Sequence, residues 1–262
     1  MTIQKIISED NGEKSKVILE RRKPLPSKQD RPISKVKMSA EKVDLEGLVQ
    51  LAKSAIEEVS NKSKANANGD ACVITTEQIV IDIRARWKCI IPICFGYGSS
   101  ACCPPHSPTH KEMQEIVSKY KYAVLIRYMP KVKDHIYPNF LTSTAQHVNE
   151  LNEIVSIVET EACYMGYYLA MGFKGGPCSC CGVFSPEMVS DWLTGKEIPR
   201  CAVLEGKMCS QYLRARPALE ACGVDVFATA RNAGWEEPYI IMPEHSKSSV
   251  PCVSWHGLVL II

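Results

Sequence analysis

The stretch TSTAQHVNELNEIVSIVETEACYMGYYL, residues 142–169, decides the fold class. Ala145, Val148, Leu151, Val155, Val158, Ala162, Met165 and Leu169 recur at steps of three and four. That spacing lines one face of a long helix, for which Thr142 or Ser143 can supply the N-cap oxygen. Upstream, YAVLIRY (122–128) is short, apolar and β-branched, as a buried strand requires. DLEGLVQLAKSAIEEVS (44–60) sets Leu45, Leu48, Leu51, Ala52, Ala55, Ile56 and Val59 on a second helical face, with Asp44 as its cap. The β-branched run ACVITTEQIVIDIRARW (71–87) predicts two hairpin strands meeting near Thr76–Gln78, the second running straight into Cys89. A short helix is expected over His110–Tyr120, another from Pro217, and a further segment over Val226–Ala233. Tyr239–Met242 and Val253–Ile262 read as closing strands. Helices and strands alternate irregularly, so the expected class is α+β: a mixed β-sheet flanked by helices, with cysteine-rich loops that bind a cluster.

Residues 1–43 stand apart. They are polar, contain Pro24, Pro26 and Pro32, and carry an excess of five positive charges, which leaves the remainder at −3 against an overall +2. A flexible basic arm is preferred there over a nucleic-acid clamp. Residues 44–262 form the expected single metal-binding domain, long enough to bury a core without covalent staples. With 45% hydrophobic and 23% charged residues, the composition is that of an ordinary globular protein and does not itself point to a nucleic-acid partner. No apolar run approaches the roughly 18–20 residues of a membrane span. Charges interrupt the N-terminus too often for a secretory signal, so a cytoplasmic location is expected.

Thirteen cysteines are far more than such a chain needs. In a reducing compartment, clustered thiols read as metal ligands rather than disulfides. The first group is CIIPICFGYGSSACCPPHSPT (89–109). Four residues separate Cys89 from Cys94, and eight more separate Cys94 from Cys103; Gly96 and Gly98 let the backbone turn, and Pro104 and Pro105 fix the exit. A cysteine followed by proline also ends the ligand run of bacterial ferredoxins. Neighbouring side chains diverge on extended backbone, so Cys103 is taken as the ligand and Cys102 as a packed thiol. Three ligands leave a fourth position for Cys102, for His106 or for an external molecule.

The second group pairs Cys178 and Cys181 after Gly175-Gly176-Pro177, then adds Cys201 and Cys209 at a seven-residue spacing. A C-x2-C chelate serves zinc and iron–sulfur centres alike, but the wide second spacing counts against a zinc ribbon. PEMVSDWLTGKEIP (186–199) between the pairs reads as a short inserted helix. Cys180 sits inside the chelate and is the weaker ligand candidate. Cys72, Cys163, Cys222 and Cys252 read as packed thiols.

Taken together, FGYGSSACCPPHSPT, the Gly-Gly-Pro-Cys entry and RPALEACGVDVFATARNAGW resemble the predicted metal-binding family of a domain of unknown function (DUF 2284), found mainly in anaerobic bacteria and archaea. The resemblance runs from about Asp44 onward. It implies that Cys89, Cys94 and Cys103 match the family's first set, and that Cys178, Cys181, Cys201 and Cys209 match its ferredoxin-like second set. Here Val183–Arg200 separates Cys201 from the chelate, where the family pattern brings the third cysteine sooner. In Arg216-Pro217…Glu220…Asp225, Arg216 is expected near the cluster loops with Glu220 as its partner, Gly223 is expected to end the helix, and Tyr97 to shield the first site.

The expected function is iron–sulfur binding: one or two [4Fe-4S] clusters, a four-cysteine one for electron transfer and a three-cysteine one with an open iron. That open iron would serve redox or sulfur chemistry on a small molecule, in an iron–sulfur-dependent oxidoreductase or a sulfur-handling enzyme. The alternative is a zinc-stabilised accessory module without redox role. A redox partner protein, a small-molecule substrate or a homo-oligomer are the partners left open. No phosphate-binding glycine loop, zincin helix or nucleophile elbow is present in the sequence.

Overall fold

A computed structural model describes residues 43–134, 140–181, 191, 194–196, 201–236, 239, 245 and 250–262. The chain divides into two units, Met1–Lys35 and Val36–Ile262, and every described element belongs to the second. Beyond the described residues fall the expected arm (apart from Val43), most of the inserted helix over 186–199 and nearly all of the strand expected at Tyr239–Met242.

Four antiparallel strands form one sheet in the order β1-β2-β4-β3. They are β1 (Asn68–Thr75), β2 (Tyr122–Met129), β3 (Met171–Lys174) and β4 (Trp255–Leu260). Five α-helices accompany them among the described residues: α1 (Leu45–Ser63), α2 (Ile83–Trp87), α3 (His110–Val117), α4 (Phe140–Tyr164) and α5 (Val226–Asn232). The fold is therefore α+β.

Alternation along the strands assigns the two faces. Val124 and Val259, partners across β2 and β4, point to a core built with Leu48, Ala52 and Ile56 of α1 and Leu151, Val155 and Val158 of α4. Leu125, Leu258 and Phe173, in register across three strands, point the other way, to Met113 and Val117 of α3 and to Leu219, Cys222 and Val224. Both faces are covered, which is why β2 reads as a continuous apolar run although its pairing is antiparallel. A Cβ on Gly172 or Gly257 would stand 2.7 or 2.5 Å from a Val155 methyl, so α4 lies directly on the β3–β4 backbone.

Several boundaries differ from expectation. The hairpin over 71–87 does not form. Gln78 accepts from Thr75 N–H at 2.9 Å and donates to Asn232 O at 2.7 Å, turning the chain away after β1. Ile81 then makes only an isolated bridge to Val224, and Asp82 caps α2 through Arg84 N–H at 2.8 Å. A helical turn, not a strand, therefore delivers Cys89. The β-branched run did signal buried extended backbone, but its partner lay about 140 residues away.

Helix α4 spans Phe140–Tyr164, so Thr142 and Ser143 lie inside it, and it stops short of Leu169. Gly166, at φ +106°, turns the chain, and Tyr167 enters the core in place of the exposed Met165 and Leu169. The Tyr167 hydroxyl accepts from Asp44 N–H at 2.9 Å, tying the start of α1 to the end of α4. Pro217 does not open a helix; the helical turn there is a 3-10 turn over Glu220–Cys222, which Gly223 ends at φ +88°. Cys163 is exposed rather than packed. No helix among the described residues is long and apolar enough to cross a membrane.

Candidate metal centre

Helix α2 carries the chain to the first cysteine set. Cys94 N–H donates to Cys89 O at 3.1 Å, closing the loop that sets Cys94 beside Cys89. Gly98 N–H reaches Pro104 O at 2.7 Å and folds Cys103 back toward both. A Cβ on Gly96 would lie 3.4 Å from Cys103 Sγ and 3.7 Å from Cys94 Sγ, so the two sulfurs share the space that a side chain there would fill. Cys89, Cys94 and Cys103 all line one cavity of about 880 Å³. Its other walls are Arg84 and Lys88 near α2, Val226, Phe227 and Arg231 of α5, and Glu220, Trp255 and His256. Tyr97 borders it, as expected of a shield, whereas His106 is exposed and does not.

Arg86 fixes this loop. Almost fully buried, it donates to Ser107 Oγ at 3.0 Å, Pro108 O at 2.9 Å and Pro105 O at 3.3 Å, and also to Ala221 O. One guanidinium thereby holds the Cys-Pro-Pro turn against the Glu220–Cys222 turn.

The second set meets at another cavity, of about 230 Å³, lined by Cys178, Cys181, Cys201 and Cys209. The long insertion before Cys201 does not keep it away: Cys201 N–H donates to Ser99 O at 3.0 Å, which docks the returning chain on the first loop. Cys102 lines the same cavity, among Ala101, Val203, Tyr212, Ala215 and Pro217. This corrects its expected role as a packed thiol. The two neighbours do diverge, as alternation requires, and Cys102 thus faces the second set while Cys103 faces the first.

Helix α4 supports the second set with polar groups that would ordinarily face water. Ser179 Oγ–H donates to Asn149 Oδ1 at 2.8 Å, and Asn152 donates to Cys180 Sγ. Arg214 pairs with Glu153 at 3.4 Å. Arg216 pairs bidentately with Glu159 of α4, at 2.6 and 2.8 Å, not with Glu220 as expected. The Glu220 carboxylate instead accepts from Gly176 N–H at 3.3 Å. Asp225 caps α5 through Ala228 N–H at 3.0 Å, a structural role.

The electrostatics suit a cationic guest. Burial pushes the Cys89 thiol up to about 12, with the Glu220 charge and the neighbouring Cys94 and Cys103 adding to it. Burial likewise raises Cys103. Hydrogen bonds with Cys102 and then Cys180 hold Cys178 well below the usual thiol range, against its burial. Without a positive centre, burial favours the protonated thiols of Cys89 and Cys103; a bound metal stabilises thiolates. The donor set is all sulfur, as soft metals and iron–sulfur clusters prefer. No three His, Cys, Asp or Glu side chains among the described residues converge as for a single ion.

The chain belongs to the DUF2284 family. The family's model, described as a predicted metal-binding protein, matches residues 72–261 and so takes in both cysteine sets while leaving α1 outside. No curated protein and no solved structure gives a significant match.

Sequence reasoning passed over Arg86, Lys174 and the polar face of α4. A lone Lys in the apolar run Met171–Lys174, immediately before Gly-Gly-Pro-Cys, was a signal for Lys174. Nothing local distinguishes Arg86 from its exposed neighbour Arg84.

His256 offers a pH test of the wall of the larger cavity. Burial, then the charge of Arg127, lowers it to about 4 from 6.5. The neutral ring is the folded form, so its contribution is complete above pH 6.5 and is lost as pH falls toward 4. Stability against urea is expected to fall by about 3 kcal/mol from this group as pH drops across that window. In His256→Phe the corresponding part of the pH slope disappears.

Proposed function

We propose that this chain is an iron–sulfur protein with two [4Fe-4S] sites. Cys178, Cys181, Cys201 and Cys209 hold an electron-transfer cluster. Cys89, Cys94 and Cys103 would hold a second cluster at the wall of the larger cavity, where it would supply redox or sulfur chemistry on a small molecule. The observation that supports this reading is the division of the thiols: Cys178, Cys181, Cys201 and Cys209, joined by Cys102, line a space of about 230 Å³, and Cys89, Cys94 and Cys103 line one of about 880 Å³. Clusters at such sites supply one-electron chemistry, and an open metal position supplies a Lewis acid.

The chain's own residues set the conditions. Arg86 keeps the Cys-Pro-Pro turn in place, and Tyr97, Phe227 and Trp255 give the larger cavity aromatic walls that limit water around a bound molecule. Lys88 stands exposed beside the cavity, whereas Arg84 is held there by Asp82, so the rim carries both signs of charge. The conditions required are those of a reducing compartment, with a redox partner meeting the second site from the exposed side of Cys181.

Electron paramagnetic resonance of the anaerobically purified, dithionite-reduced protein tests this. Two cluster signals are expected, one of which changes on addition of cyanide or a small thiol. Two signals both indifferent to such ligands would remove the open position; a silent, colourless protein containing zinc would remove the iron–sulfur reading.

A further inference from the structure

Lys174 ends β3 with none of its surface exposed. Its ammonium donates to Gly176 O at 2.6 Å and to Pro177 O, the two carbonyls immediately before Cys178. No carboxylate lies within ion-pairing distance of it among the described residues. Two carbonyls are a thin return for a buried charge, whose desolvation costs several kcal/mol in general.

Around it lie cysteine-bearing segments and one buried carboxylate, Glu220, which accepts from the N–H of the same Gly176. Lys174 bridges in parallel to Ala218, and Ala218 N–H donates to Cys102 O at 3.1 Å. The two carbonyls it holds lead directly into Cys178 of the second set, and Ala218 joins it to Cys102, the neighbour of Cys103 in the first. The lysine therefore sits where the wall of the smaller cavity backs onto that of the larger one.

We propose that Lys174 is a positioning residue for both cysteine sets, a fixed buried positive charge that offsets their thiolate sulfurs and makes the bound centre easier to reduce. The inference rests on the iron–sulfur reading above. Net charge and hydrogen bonding around the sulfurs set the potential of such centres, and a nearby cation favours the state that has gained the electron. The turn carbonyls orient the ammonium; the sulfurs use its charge.

The test is a dithionite redox titration of the full chain and of K174R, K174Q and K174M, followed by electron paramagnetic resonance, with iron and sulfide counted in each. Arginine keeps charge and donors, glutamine keeps donors only, and methionine keeps neither. The expected result is a parent-like potential in K174R, with K174Q and K174M at least about tenfold harder to reduce, a shift of about 59 mV for a one-electron couple. Cluster retained in K174R but absent from both neutral variants also supports the charge. Parent-like potentials in K174Q, or equal loss of cluster in K174R and K174M, would overturn it. Absence of iron from the parent protein would instead overturn the iron–sulfur reading and is seen before any variant is made.

Discussion

Replacing Cys178 with serine is expected to leave roughly half of the iron and sulfide of the parent protein, because the proposed function has two cubane sites and this removes one. Cys178 is buried, lines the smaller cavity with Cys181, Cys201 and Cys209, and is the sulfur on which the Cys102 and Cys180 thiols converge. A serine oxygen there is a poorer ligand for a soft centre. Cys180→Ser is the matched control. Cys180 sits two residues away, does not line the cavity and is engaged by Asn152, so iron content is expected to stay at the parent level. Equal losses in the two variants would mean that the chelate has been assigned wrongly.

Arg86→Met is expected to cost about 3–5 kcal/mol of stability, read as a lower denaturant midpoint at unchanged slope. The substitution keeps an apolar stem but withdraws every donor from Pro105 O, Pro108 O, Ala221 O and Ser107 Oγ. Buried acceptors left unpaired cost about 1–3 kcal/mol each before relaxation. The same guanidinium joins the Cys-Pro-Pro turn to the Glu220–Cys222 turn, so the first cysteine set should lose its metal while the second, braced on α4, keeps it. Arg86→Lys retains the charge without the fork and should fall between the two. A variant as stable as the parent protein would show that the loop is held by something else.

The sequence was legible wherever a periodic apolar pattern met a local stop signal. Helices α1 and α3 appeared where Asp44 and Thr109 cap them, and β2 where an apolar run predicts a buried strand. The seven proposed ligands could be picked out because cysteine is rare and its spacing carries chemistry. Less legible was anything decided by distant partners. The segment after Gln78 is β-branched yet bridges to Val224 instead of pairing with β1, a contact that no local pattern specifies. Nothing in the apolar period of α4 says that Asn149, Asn152, Glu153 and Glu159 grip the loops carrying Ser179, Cys180, Arg214 and Arg216. Cys102 and Cys103 line different cavities; what lay on the far side of Cys102 depended on a segment roughly a hundred residues downstream.

The most direct measurement is iron, acid-labile sulfide and zinc per chain after strictly anaerobic purification, with the absorption spectrum taken on the same sample. Two cubanes predict about eight irons and about eight sulfides per chain, with broad absorption near roughly 400 nm. Stoichiometric zinc in a colourless protein without sulfide would contradict the account and leave a zinc-stabilised module in its place.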